Sequence, residues 1–151
     1  KTLASIEVFK KSAAALKNTG CRLGVHNHWW EFDKKIDGQY PHDLLMAATP
    51  DLVAELDTYW ITTGGADAAK VVEKVGKRAP FLHIKDGPCN MKDAMTAVGK
   101  GKIKWEPILK AAVPFVEWLI VELDRCDTDM MQAVADSYQF LVKSGFAKGR
   151  K

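Results

Sequence analysis

Residues 52–86, LVAELDTYWITTGGADAAKVVEKVGKRAPFLHIKD, decide the fold. Leu52 to Asp57 and Pro80 to Lys85 are short, mostly apolar runs of strand length, each meeting a polar residue near its end, Asp57 in one and His83 in the other. Between them Gly64-Gly65 marks a loop, and Ala66 to Gly76 is expected to be a helix. Apolar strands separated by a helix are the mark of parallel strands joined by right-handed crossovers, because a parallel sheet is buried on both faces.

The same order extends in both directions. Upstream, Leu3, Ile6, Phe9, Ala13 and Leu16 recur at helical intervals over residues 2–18, and Asn18-Thr19-Gly20 supplies the stop. A strand CRLGVHNH follows, then a loop with Asp37-Gly38 and a short helix from His42 to Ala48, closed by Thr49-Pro50. Downstream come a long loop, a helix from Trp105 to Ala112, a strand from Trp118 to Leu123 and an amphipathic helix from Met130 to Lys143, with Asp127, Thr128 or Asp129 as its cap. The class is α/β, and residues 1–151 form a single domain.

A leading helix and four β/α units amount to half of a (β/α)8 barrel, which typically needs ~250 residues. A four-stranded sheet cut from a barrel would leave two unpaired edges and an uncovered apolar face. The expectation is the C-terminal half of a TIM barrel, completed by a missing N-terminal half-barrel. The alternatives are two copies paired as a homodimer, or an open sheet that tolerates its edges.

Composition narrows the function classes. The apolar fraction of 47% suits a globular core, and the net charge of +3 is spread over scattered lysines, so neither a nucleic-acid arm nor a polybasic membrane patch is indicated. No stretch approaches ~18 apolar residues, and KTLASIEVFKK lacks the apolar core of a signal peptide, which sets a cytoplasmic protein as the default expectation. Cys21, Cys89 and Cys126 have neither the even number of a disulfide framework nor a CxxC spacing, and read as free thiols.

In a barrel the active site lies at the C-terminal ends of the strands, which is where the polar residues of this chain collect. Asp57 ends VAEL, His83 sits in FLHIKD and Glu122 ends LIV. Carboxylate and imidazole from separate strands are the donors a single divalent cation needs. A carboxylate after so apolar a run calls for a cation or a proton, although Asp57 also reads as a helix cap. The run HNHWWE leaves two arrangements open. Alternation puts His26 and His28 on one face with Glu31 in the loop beyond. Either Glu31 completes the ligand set and the histidines face substrate, or His26 or His28 ligates and Glu31 is a solvated loop carboxylate. Lys85 reads either as a charge that stabilises an anionic oxygen or as a surface lysine. The aromatics Trp29, Trp30, Tyr59 and Trp60 suit either stacking on a sugar or packing beneath the loops. VGKGKI at 98–103 matches no phosphate-loop spacing and reads as a turn.

The runs VHNHWWEF, ELDTYWITTGG, LHIKDG, VGKGKIKWEPIL and VELD, in this order and spacing, resemble the sugar phosphate isomerase/epimerase family of xylose-isomerase-like or AP-endonuclease-2-like TIM barrels. The resemblance implies one divalent metal ion, Mn2+, Mg2+, Zn2+ or Co2+, held by Glu31, Asp57, His83 and Glu122. Similar proteins place the first glutamate inside the strand, near Gly24 of this chain, which is one departure; the other is the lack of the first four strands. The implied chemistry is proton transfer through a cis-enediolate of a small-molecule sugar or sugar phosphate. Glu31 and Glu122 would be the acid/base pair, His28 or His26 an alternative base, and His26, Trp60 and Lys85 the substrate contacts. The rival readings are a keto-sugar dehydratase or lyase, an AP endonuclease, which would need more metals and histidines, and a non-catalytic half-barrel or interaction module.

Overall fold

In the computed structural model, which describes residues 2–149, the strands β1 (Gly24–His26), β2 (Val53–Asp57), β3 (Phe81–Ile84) and β4 (Trp118–Val121) form one parallel sheet in the order β1-β2-β3-β4. Sequential order in a parallel sheet means that every crossover steps the same way, as in a barrel wall. Helices α1 (Thr2–Leu16), α2 (Pro41–Ala48), α3 (Thr58–Thr63), α4 (Ala68–Val75), α5 (Trp105–Ala112) and α6 (Met130–Lys143) fill the connections.

Alternation along the strands divides the sheet into two faces. Ala54 and Leu56 of β2 and Leu82 and Ile84 of β3 are fully buried in the core that the helices cover. The opposite face carries Glu55, Asp57 and His83, with Asp57 paired in register with His83. An open groove of about 470 Å3 runs along it, lined by Arg22, Gly24, His26, Glu55, Phe81 and Glu117 among others. A closed barrel fills this space with side chains from the strands opposite.

Several boundaries differ from the sequence expectation, and three of the differences have a visible physical reason. The strand expected over 21–28 pairs only at Gly24–His26, because it lies at the edge and the next residue, Asn27, turns its buried side chain onto the Asp57 backbone. The stretch after Asp57, expected as a loop, is helix α3. The Asp57 side chain caps it, and Thr58, Tyr59, Trp60 and Ile61 are all buried, which outweighs the weak helix propensity of its threonines. The helix expected from Ala66 begins at Ala68, where Asp67 accepts from the Lys70 N–H.

The leading helix ends as its sequence indicates, with Asn18 at φ 69° and Gly20 at φ 82°. Ile6 and Phe9 face the core, while the Leu3 side chain, expected on the same stripe, lies outside the described residues. α6 is capped by Asp129, one of the three candidates, which accepts from the Gln132 N–H. Its Ser137 reaches back to the Val98 N–H of the long loop that follows β3.

That loop, residues 85–104, is organised by one carboxylate. Asp86 is fully buried and accepts hydrogen bonds from the N–H groups of Gly87, Gly99 and Ile103 and from the Trp105 indole, at 2.8–3.2 Å. Gly101 fits against it because a Cβ there would stand 2.0 Å from the Asp86 Oδ1. Among the described residues no helix is long and apolar enough to cross a membrane, and all three cysteines are free.

Candidate metal and proton-transfer site

At the C-terminal end of the sheet His26, Asp57, His83 and Glu122 converge, one from or just beyond each strand, with a ligand atom of each lying within 4.8 Å of all the others. Asp57 stands at the centre and uses its two oxygens differently. Oδ1 accepts the Trp60 N–H and so caps α3, while Oδ2 lies 3.3 Å from His26 Nε2 and 3.9 Å from His83 Nδ1. Its backbone is held as well, since Asn27 accepts from the Asp57 N–H at 2.9 Å and donates to the Asp57 carbonyl at 3.2 Å. A capped helix on one side and a locked strand on the other leave the Asp57 carboxylate little freedom, and rigid support is what a ligand site requires.

His83 is held from both ends. Its Nε2 lies 3.1 Å from Glu55 Oε1, and its Nδ1 lies 2.5 Å from Glu122 Oε2. A carboxylate on the far nitrogen of a ligating histidine fixes its tautomer and ring orientation. Glu55 lies two residues before Asp57 on the same face of β2, a period-two relation visible in VAELD that the sequence reading did not use.

Lys85 is 1% exposed, and its Nζ lies 3.1 Å from Asp57 Oδ2, 3.0 Å from Glu122 Oε2 and 3.0 Å from Asp124 Oδ2. Burial pulls its pKa down, and the carboxylates of Asp57, Asp124 and Glu122 more than offset this, so the ammonium stays above the ordinary lysine value. The Trp60 ring stands 5.6 Å from the ammonium. The hydrogen bond to Asp57 raises the His26 pKa against the effect of burial, whereas burial lowers that of His28.

The donor set fits a divalent ion. Two imidazoles and two carboxylates are borderline-to-hard donors, and ligand atoms about 2.0–2.2 Å from one ion lie roughly 3–4.5 Å apart, so the cluster, whose ligand atoms lie within 4.8 Å of one another, is of the right size once His83 Nδ1 and Glu122 Oε2 part from their 2.5 Å contact. His83 Nδ1 and Glu122 Oε2 are buried and close together but are not placed to bond each other, and the Glu122 oxygen is left facing the Lys85 ammonium at 3.0 Å. Two facing ligand atoms that do not bond each other are satisfied together by a cation.

No family sequence model matches the chain, and no curated protein matches it. Solved structures do. A sugar phosphate isomerase/epimerase from Parabacteroides distasonis superposes with a TM-score of 0.80 at 26% identity, over 97% of this chain and 54% of its own. The chain resembles half of a sugar phosphate isomerase/epimerase barrel. A second such structure from the same organism gives a TM-score of 0.76 at 25% identity over 97% and 55% of the two chains. A xylose isomerase domain protein from Alicyclobacillus acidocaldarius gives 0.69 at 17% identity over 99% and 61%, a likeness of fold. The chain thus spans little more than half the length of these two isomerase/epimerase structures.

Within this half-barrel the structure brings together Asp57, His83 and Glu122 of the four expected ligands. The fourth member of the cluster is His26, the strand-borne alternative in HNHWWE, and not Glu31. Glu31 lies in a short 3-10 turn (Trp29–Glu31), where its carboxylate accepts the His28 N–H at 2.8 Å. This is the carboxylate half of a capping box, and it turns Glu31 toward its own turn. Gly24, where similar proteins were expected to carry a glutamate, lies two residues before His26 on the same strand.

Among the aromatics, Tyr59 and Trp60 are buried, while Trp30 is 47% exposed and stacks on the His28 ring at 4.2 Å. The sequence reading missed Glu55, Asn27, Asp86 and Asp124. Asn27 and Asp86 act on backbone groups that only the folded chain brings near them.

Proposed function

We propose that this chain carries the metal and proton-transfer half of a sugar or sugar phosphate isomerase/epimerase. The observation that carries the reading is the convergence of His26, Asp57, His83 and Glu122, with the His83 and Glu122 ligand atoms facing each other without a hydrogen bond. The resemblance to sugar phosphate isomerase/epimerase barrels supports the substrate class.

These four residues would hold the divalent ion, which when bound polarises the carbonyl and hydroxyl oxygens of a keto-sugar. Glu122, whose side chain is 39% exposed and reaches the cluster, removes the proton from the carbon next to the carbonyl. The electron pair moves onto the carbonyl oxygen and leaves an enediolate. Lys85 adds its charge beside Glu122, where negative charge develops. Return of a proton to the neighbouring carbon gives the isomer, and return to the other face of the same carbon gives the epimer.

The second proton carrier comes from the β1 loop, where His28 and Glu31 are linked. We assign the role to His28, whose lowered pKa favours the neutral, proton-accepting ring at neutral pH, with Glu31 holding its backbone. Trp30, stacked on His28, gives that side of the site an apolar wall for the sugar.

The test is deuterium incorporation next to the carbonyl of ketohexoses and ketopentoses, and of their phosphates, in D2O with Mn2+ present, followed by NMR. Incorporation that Glu122→Gln abolishes supports the reading. Metal binding without exchange, in this chain and in the protein with its barrel completed, refutes the catalytic part. One observation favours a second reading, a half-barrel that binds metal without turnover. The groove along the inner face is open, so this chain by itself does not enclose a substrate.

A further inference from the structure

We propose that Lys85 is a built-in counter-cation that sets how tightly the cluster holds its divalent ion, and that Asp124 is the carboxylate to which its ammonium withdraws when the ion binds. The inference rests on the metal-binding reading above and goes beyond it.

Lys85 follows His83 by two residues and so leaves the sheet on the same face. Its Nζ does not point to solvent. It contacts Asp57 Oδ2 at 3.1 Å and Glu122 Oε2 at 3.0 Å, the same oxygens that face His26 and His83. An oxygen that neutralises an ammonium at this distance has less charge to give a divalent ion, and an ammonium left in place repels that ion. Binding therefore requires the ammonium to loosen its hold on Asp57 and Glu122.

Asp124 supplies the alternative. It stands outside the four-residue cluster, yet it receives hydrogen bonds from Lys85 through both oxygens, at 3.2 and 3.0 Å. Its side chain is 42% exposed, so it can follow the ammonium outward. The buried lysine thus stands between two ligand carboxylates and a third that is not a ligand. Without an ion, the lysine keeps the acidic cluster neutralised and folded. With an ion, Asp124 retains the lysine, and the two ligand oxygens are released.

The test is a double-mutant cycle on Mn2+ affinity, measured by calorimetry on this chain with wild type, Lys85→Met, Asp124→Asn and the double variant, with circular dichroism of each metal-free form. The expected result for Lys85→Met is affinity on the order of tenfold tighter. Asp124→Asn should bind several-fold more weakly than wild type, because the lysine then leans on Asp57 and Glu122 alone. In the double variant the Asp124 change should have little further effect, since it acts through the lysine.

Equal or weaker binding by a folded Lys85→Met overturns the inference and leaves the metal site standing. Equal losses from Asp124→Asn with and without Lys85 overturn the role of Asp124, because they reveal general charge attraction. Should Lys85→Met fail to fold without metal, the Asp124→Asn arm decides, and unchanged or tighter binding there overturns the proposal. If wild type binds no Mn2+, the metal reading falls and takes this inference with it.

Discussion

His42 should make this fold lose stability on mild acidification, and replacing it should remove that loss. The ring lies on α2, is 1% exposed and packs on Phe32 with 5.1 Å between ring centres, and neither nitrogen has a hydrogen-bond partner. Burial is the main cause that pushes its pKa from 6.5 down to about 4, with Lys74 and Arg78 adding to it and Asp43 opposing. The unfolded chain therefore takes up a proton as pH falls through about 6.5, and the folded chain does not until about 4. Across that window the unfolded state binds more protons, so stability falls as pH falls.

At about 1.4 kcal/mol for each factor of ten in proton affinity, the full loss is about 3 kcal/mol, most of it reached by about pH 4.5. His42→Leu, similar in bulk and without a titrating group, should be at least as stable as wild type near neutrality, since it removes two unpaired buried nitrogens. The assay is urea denaturation of both proteins at about pH 7.5 and about pH 4.5. Carboxylates titrate alike in the two, so the difference between their pH-dependent losses isolates His42. A difference of about 2–3 kcal/mol is expected. Identical losses would refute the reasoning, since they would mean that the buried ring takes up its proton as readily as an exposed one.

Further predictions follow from other buried contacts. Glu55→Gln leaves the His83 Nε2 without a charged partner, and divalent affinity should fall about 10–100-fold with the fold intact, measured by calorimetry. Asp86→Asn puts an amide where Oδ2 accepts from Gly99 and Trp105 or Oδ1 from Gly87 and Ile103, and should cost roughly 2–4 kcal/mol in denaturant, with a change in the fluorescence of Trp105. Gly101→Ala drives a Cβ to within 2.0 Å of the same carboxylate, and proteolysis should cut residues 87–104 faster than in wild type; a protease-resistant Ala variant would show that the loop can move aside.

Sequence alone determined the architecture and three of the four residues that converge at its C-terminal end. Strand runs such as VAELD and FLHI are short and mostly apolar, and the turn and cap residues and helices between them leave a parallel β/α order as the consistent solution. The ends of the apolar runs then marked Asp57, His83 and Glu122, which the structure brings together. The Asp57 cap of helix α3 was legible but the helix itself was not, because its formation depends on the burial of Tyr59, Trp60 and Ile61 rather than on propensity.

Which of His26 and Glu31 lies in the cluster belonged to the tertiary structure. Both residue types ligate metals, and no spacing in HNHWWE distinguishes them. The decision lies in the turn after β1, where Glu31 folds back to cap its own backbone while His26, still on the strand, faces Asp57 across the sheet. Lys85 shows the same limit. A lysine after a strand reads equally as surface or site, and only three carboxylates from two other strand ends, converging on its ammonium, make its burial tolerable.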